Sequence, residues 1–345
     1  MMHNFKIKPR WMLFLFSLVA FSDLLLAQEL KMLTSGVNSS LRGLSVVSDQ
    51  MVWCSGSNGM VAKTVDGGTN FRWIKVVGYE TRDFRDIHGV DSSTAIIMAV
   101  DAPAVILKTI NGGASWVKVF EDSRAGMFLD AMHFNGRHGV VVGDPIAGKP
   151  FLAQTNDYGD NWKEVNSTTS CFKMQEGEAF FAASGSNIQL LNRDDQLRSL
   201  FVSGGIQSRF FYNQTCQSLP LQSGKSYTGA NGIAFSDKHK RGVVVGGDFS
   251  DAKRTDSAMV FFELGETLKI GPPLAIPTGY KSGVAFLENG DLVVCGTTGV
   301  DRWVENSKTW VNISQQGFHS IQGSPNGSNI YLCGSKGIIA KIINK

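Results

Sequence analysis

A short unit of strand, polar turn and strand repeats along this chain, and units that cannot bury both faces alone must stack in a line or close into a ring. Three consecutive copies read MVWCSGSNGMVAKTVDGGTNFRWIKV, AIIMAVDAPAVILKTINGGASWVKVF and GVVVGDPIAGKPFLAQTNDYGDNWKEV. Each has an apolar strand, a polar turn, a second strand ending in Thr, a Gly turn and a third strand opening with an aromatic residue. The strand ahead of each copy reads LRGLSVV, FRDIHGV or FLDAMHF, making four strands per unit. The second-strand signature returns as SLFVSGG, GVVVGGD, LVVCGTTG and IYLCGSKG. With Gly56, Ala99, Gly143, Gly204, Gly246, Gly296 and Gly334 as equivalent positions, successive spacings are 43, 44, 61, 42, 50 and 38 residues. Seven such units predict an all-β fold over residues 28–345, a single seven-bladed β-propeller of four-stranded antiparallel blades. The 61-residue step contains NIQLLNRDDQLRSL, read as an excursion that adds a hairpin or a short helix.

Closure has its own signal. The last unit runs FHSIQGS, NIYLCGS and GIIAKIIN and stops one strand short, while QELKMLT stands unused ahead of the first full unit. Glu29 to Leu33 is therefore expected as the outer strand of the last blade, which removes the unsatisfied sheet ends. Composition agrees, since 38 glycines in 345 residues and only 18% charged side chains suit short strands and tight turns rather than a helical bundle. With 33 basic against 30 acidic side chains the net charge is +3, which gives no electrostatic case for nucleic acid.

Residues 1–27 read as a secretory signal: Lys6, Lys8 and Arg10 precede the apolar run from Trp11 to Ala20, and Ala27 is a small residue suited to cleavage. Asp23 and an uninterrupted run of about ten residues argue against a spanning helix and leave the mature chain without a transmembrane segment. The expected location is outside the cytoplasm: periplasm, cell surface or medium. Five cysteines occur, with no CxxC pair and so no zinc or thioredoxin signature. Cys54, Cys295 and Cys333 sit in strand-like apolar runs as small core residues, whereas Cys171 and Cys216 lie in turn-rich segments where a bridge is open.

Three turns, Thr64 to Phe71, Thr109 to Trp116 and Thr155 to Trp162, fit T-x-[DN]-x-G-x-x-[FW]. They resemble the Asp-box of bacterial neuraminidase repeats. On that resemblance Asp66, Asn111 and Asp157 staple hairpins on the outer rim and Phe71, Trp116 and Trp162 pack between sheets, with no catalytic part. Residues 41 to 342 resemble the exported propellers of the photosystem II stability/assembly-factor-like group, through DFRDI (83–87), FLDAMHF (128–134), GDPIAG (143–148), GEAFFAASG (177–185) and GVVVGGDF (242–249). Bacterial sequences near that group often carry oxidoreductase or glycosyl hydrolase labels. The resemblance implies a WD40/YVTN-like scaffold that holds a partner.

In such a ring the residues opening the innermost strands converge on one channel mouth. Aligning those strands by their apolar pattern places Asp86, Asp130 and Glu178 in one column on consecutive blades. Arg42, Arg82, Arg85, Asp144, Asp248, Arg254, Tyr280, Lys281 and His319 are expected on the same face. Two readings stay open: a pocket for a protein, small-molecule or glycan ligand, and a solvated ion-pair network around a water-filled channel. A sialidase-like hydrolase would draw Asp86, Asp130, Glu178 and Tyr280 into chemistry. No dinucleotide, haem, flavin or zinc motif is present, so no cofactor or metal is predicted, and His88 and His133 read as structural. A monomer is expected.

Overall fold

The computed structural model describes residues 29–166, 169–193, 196–212, 214–265, 267–325 and 329–343, so the expected signal at 1–27 lies outside the described residues. The repeat prediction translates directly into sheets. Five separate four-stranded antiparallel sheets form, and a nine-stranded one is two more such groups joined by the single pair Gly204 and Gly229, with Glu178–Ala179 as a further short strand. Among the described residues this makes seven four-stranded groups. Their innermost strands are Leu41–Val46, Phe84–Gly89, Leu129–Asn135, Ile188–Arg193, Thr228–Ser236, Gly283–Phe286 and Ser320–Gly323. Each packs on the next, and the last packs on the first, so the ring is closed.

Packing follows the apolar faces. Seven separate apolar clusters fill the seven seams between neighbouring blades. The closing seam is of the same kind as the others, with Leu41, Cys54 and Ala62 of the first blade against Tyr331, Cys333 and Ile339 of the last. Glu29–Thr34 supplies the expected outer strand of the last blade, pairing antiparallel with Ile339–Ile343 from Glu29 opposite Ile343 to Thr34 opposite Ile339. The first and last described strands are thus held in one sheet.

The three Thr-containing turns share one hydrogen-bond pattern. In the first, Thr64 Oγ1 donates to Asp66 Oδ1 at 2.8 Å, Asn70 N donates to the same oxygen at 2.9 Å, and Gly68 N donates to Thr64 Oγ1 at 3.0 Å. Asn111 and Asp157 repeat it with Ser115 N at 2.9 Å and Asn161 N at 3.0 Å. Phe71, Trp116 and Trp162 each pack against the seam cluster shared with the preceding blade.

The fourth blade departs from expectation. Its extra length precedes the inner strand instead of lying within NIQLLNRDDQLRSL, which forms part of a regular strand pair, Ile188–Arg193 with Gln196–Gly205. The first strand is split: Glu178–Ala179 pairs with Gly204 and Gly205, residues 180–187 leave the sheet, and the strand resumes at Ile188. A short 3-10 turn, Ser170–Phe172, begins the insertion, and Cys171 is disulfide-bonded to Cys216 on the outer strand of the same blade. Cys54, Cys295 and Cys333 are buried free thiols.

Candidate functional site

A bulge at the start of the inner strands builds the mouth of the channel. Register shifts fall at Leu41/Gly43, Phe84/Asp86, Leu129/Ala131 and Ala230/Gly232, so Arg42, Arg85, Asp130 and Asn231 are the extra residues and occupy equivalent positions. Such a residue is released from the ladder and re-aimed. Ladder pairing of Ala179 with Gly204 puts Phe180 at the same level in the fourth blade. Together these residues floor a cavity of about 310 Å³ whose walls include Phe128, Phe181, Tyr227, Phe249 and Tyr280. Tyr227 and Phe249 stand exposed at its rim.

This register corrects the expected carboxylate column. Asp130 shares its level with Arg85, not with Asp86, because the bulge at Leu129/Ala131 adds one residue that an apolar-pattern alignment does not count. Asp86 lies one step deeper. Its Oδ1 accepts Ile87 N at 2.8 Å and its Oδ2 accepts Met132 N at 2.7 Å; burial raises its pKa, and the two N–H bonds only partly offset that. Glu178 is elsewhere, buried between strands, where Arg209 Nε and Nη2 donate to its two oxygens at 2.7 and 2.8 Å. Asp86, Asp130 and Glu178 therefore do not form one acidic cluster.

Residues 182–186 cross the channel. Arg42 Nη1 donates to Ala183 O at 3.1 Å, Ser184 Oγ donates to Ser282 O at 2.6 Å, and Ser320 Oγ donates to Ser184 O at 3.1 Å. The crossing needs Gly185, whose φ is +69° and whose Cβ, if present, would sit 2.4 Å from Asp86 Oδ1. Ala182 and Ala183 line the cavity at the bulge ring, while Ser184, Gly185 and Ser186 line a second cavity of about 570 Å³ reaching toward the opposite rim. The plug divides the channel, and the sequence reading missed it; the 61-residue step and the Ser-Gly-Ser run at 184–186 were its only signal.

Asp130 is fully buried and neither of its oxygens has a donor in full hydrogen-bond geometry, the nearby N–H groups being those of Ala182 and Asp144. Burial raises its pKa, Asp144 raises it further and Arg85 opposes. Asp144 Oδ1 accepts Phe180 N at 3.0 Å, and burial also raises this carboxyl. Arg42 is half-buried, its pKa lowered first by burial and then by Arg85. Arg85 Nε pairs with Asp83 Oδ2 at 2.8 Å, and its guanidinium lies over the Phe128 ring, 5.7 Å from the centroid. Tyr280 Oη donates to Asn231 Oδ1 at 2.8 Å, and burial raises its pKa.

Other expected residues are occupied with structure or lie at the rim. Arg82 donates to the carbonyls of Asp101 and Pro103 at 2.6 and 2.8 Å. Arg254 pairs with Asp256 at 2.8 Å in the open. Burial pushes the Asp248 pKa up, but bonds from Ser250, Lys225 and Asp251 outweigh that and hold it at about 2. Lys281 is wholly buried, 3.2 Å from Asp301, donating to Thr278 and Thr298; burial lowers its pKa. His319 is clamped between the last and first blades, Nδ1 3.0 Å from Leu41 O and Nε2 3.3 Å from Ser335 Oγ. Its pKa falls to about 4, chiefly through burial and then through Arg42. His133 Nδ1 accepts Leu190 N at 3.1 Å and His88 stacks on Phe134 at 4.4 Å. Burial takes both to a pKa of about 4. Among the described residues no group of three His, Cys, Asp or Glu side chains is placed to hold a metal ion, and no helix is long and apolar enough to cross a membrane.

No protein-family profile matches the chain, and no curated protein does. Solved structures do. "YCF48 bound to D1 peptide" is similar with a TM-score of 0.64 at 15% identity, over 92% of this chain and 96% of that one. YCF48 from Cyanidioschyzon merolae is similar with a TM-score of 0.54 at 16% identity, over 91% and 99%. The WD40 β-propeller domain of Doa1 is similar with a TM-score of 0.61 at 13% identity, over 92% and 98%. At such identities the likeness is one of fold, and the fold this chain shares with them is the β-propeller.

Proposed function

We infer that the chain is an exported, monomeric binding or assembly scaffold, and that it holds a protein partner on the face built by the bulge ring. The observation that carries this is the cavity itself: a preformed, rigid, aromatic-walled mouth with Arg42, Arg85 and Asp130 at its floor and Tyr227 and Phe249 exposed at its edge. Exposed aromatic residues beside charged ones on a rigid frame are the composition of binding hot spots. That a YCF48 propeller holds a D1 peptide adds support by analogy of fold alone. The signal at 1–27 supports export. The three rim turns read as Asp-boxes of the neuraminidase-repeat kind, which brace the scaffold and leave the opposite face to the partner.

The hydrolase reading loses its support, because Glu178 is held by Arg209 and Asp86 by backbone N–H groups, away from the Asp130 cavity. The test is co-purification from the native host with the tagged mature chain, alongside an Arg85→Glu, Arg254→Glu variant of unchanged melting temperature. A specific partner kept by the parent and lost by the variant is expected. A partner equally retained by both, or turnover of an aryl glycoside panel, would overturn the reading.

A further inference from the structure

The cavity over the bulge ring contains a group that the protein itself leaves unanswered. Asp130 lines it, is fully buried, and has no donor in full hydrogen-bond geometry at either oxygen, only the Ala182 and Asp144 N–H groups close by. A carboxylate so placed is costly unless it carries a proton or a cation is brought to it. Arg42 is the complementary problem: a half-buried guanidinium in the same cavity that forms no ion pair with a described carboxylate and spends a single N–H on Ala183 O at 3.1 Å. Arg85 stands beside it, close enough to lower the Arg42 pKa, while Asp83, paired with Arg85 at 2.8 Å, raises it. Between and above these charges the walls are aromatic, with Phe249 set edge-on to Tyr280 at 5.5 Å.

An amine alone would answer Asp130 and leave the arginines facing each other. An acid alone would do the reverse. We propose that this cavity binds a free α-amino acid with a large apolar side chain, its ammonium on Asp130, its carboxylate across Arg42 and Arg85, and its side chain against Tyr227 and Phe249. The volume of about 310 Å³ is at the small end of ligand sites and suits one such molecule. In the empty cavity burial and Asp144 favour protonated Asp130, with Arg85 and the backbone N–H groups of Ala182 and Asp144 opposing. An ammonium reverses the balance: the Asp130 proton goes to solvent as the ion pair forms, and the pair sits among aromatic rings that exclude water and strengthen it.

The inference shares the cavity with the scaffold reading but not its test, since titration of the isolated protein reads the small ligand alone and co-purification reads the partner. It is tested by calorimetric titration of the whole mature protein with L-phenylalanine, L-leucine and L-tryptophan, and with glycine, 3-phenylpropionate and 2-phenylethylamine as partial ligands. At least one of the three large amino acids is expected to bind about tenfold or more tightly than each partial ligand, as expected when an added charge-assisted pair is desolvated. Asp130→Asn, which keeps the shape of the neutral acid, should remove that advantage while leaving the melting temperature within a few degrees. The proposal is overturned if none of the three amino acids binds at millimolar concentration, if 3-phenylpropionate or 2-phenylethylamine matches them, or if a folded Asp130→Asn protein binds them undiminished. The series on the unaltered protein decides the matter even if the variant does not fold.

Discussion

Gly185→Ala is the sharpest perturbation of the channel plug, because two separate costs meet at one atom. The residue has φ +69°, where a side chain costs about 1–2 kcal/mol. The added Cβ would lie 2.4 Å from Asp86 Oδ1, 2.5 Å from its Cγ and 2.7 Å from Oδ2, so the whole carboxylate must move. That carboxylate accepts Ile87 N at 2.8 Å and Met132 N at 2.7 Å, and leaving one of these buried N–H groups unpaired adds roughly 1–3 kcal/mol. The sum is about 2–5 kcal/mol, or roughly 3–8 °C in melting temperature for a domain of this size. Asp86→Ala empties the space, so in that background Gly185→Ala should cost only the backbone part, leaving a coupling of about 1–3 kcal/mol between the two sites. Differential scanning calorimetry on the four proteins measures this. A Gly185→Ala protein within 0.5 kcal/mol of its parent, or a cost unchanged by Asp86→Ala, would refute the plug as described.

Three further outcomes are expected. Removing residues 28–36 strips Glu29–Thr34 from Ile339–Ile343, and should lower the melting temperature sharply and promote association through the bared edge; an unchanged thermogram argues against closure by this strand. Reducing the Cys171–Cys216 bond, whose partners are 45 residues apart, should cost roughly 4 kcal/mol by loop entropy, read as a shift in urea midpoint with and without reductant. His88, His133 and His319 have folded pKa values near 4, below the unfolded value of about 6.5. Their unfolded forms take up protons first, so stability should be full above pH ~6.5 and fall as pH drops toward 4, and a melting temperature flat across that window would contradict their burial as neutral rings.

The ring was legible because each blade is local. Four strands and their turns lie within one repeat, and the apolar faces that fill each seam recur with it, down to the unused QELKMLT that completes the last sheet. The mouth was only partly legible. Arg42, Arg85 and Asn231 were aligned correctly, but a one-residue bulge leaves no mark in an apolar pattern, so Asp130 slipped one level and was read beside Asp86. Glu178 was misplaced for a different reason: an insertion of small residues at 182–186 splits its strand, and Ala, Ser and Gly carry no motif. Its partner Arg209 lies 31 residues away, a pairing that tertiary packing alone supplies. The Cys171–Cys216 bond is of the same kind, since chain spacing does not say which turns meet.

The face assignment is tested most directly by photo-crosslinking in the native host, with a benzophenone amino acid placed at Phe249 beside the cavity or at Ile110, an exposed residue of a rim turn on the opposite side. A discrete protein adduct from position 249, with none from position 110, is the predicted result. Adducts from 110 alone, or identical adducts from both, would contradict it.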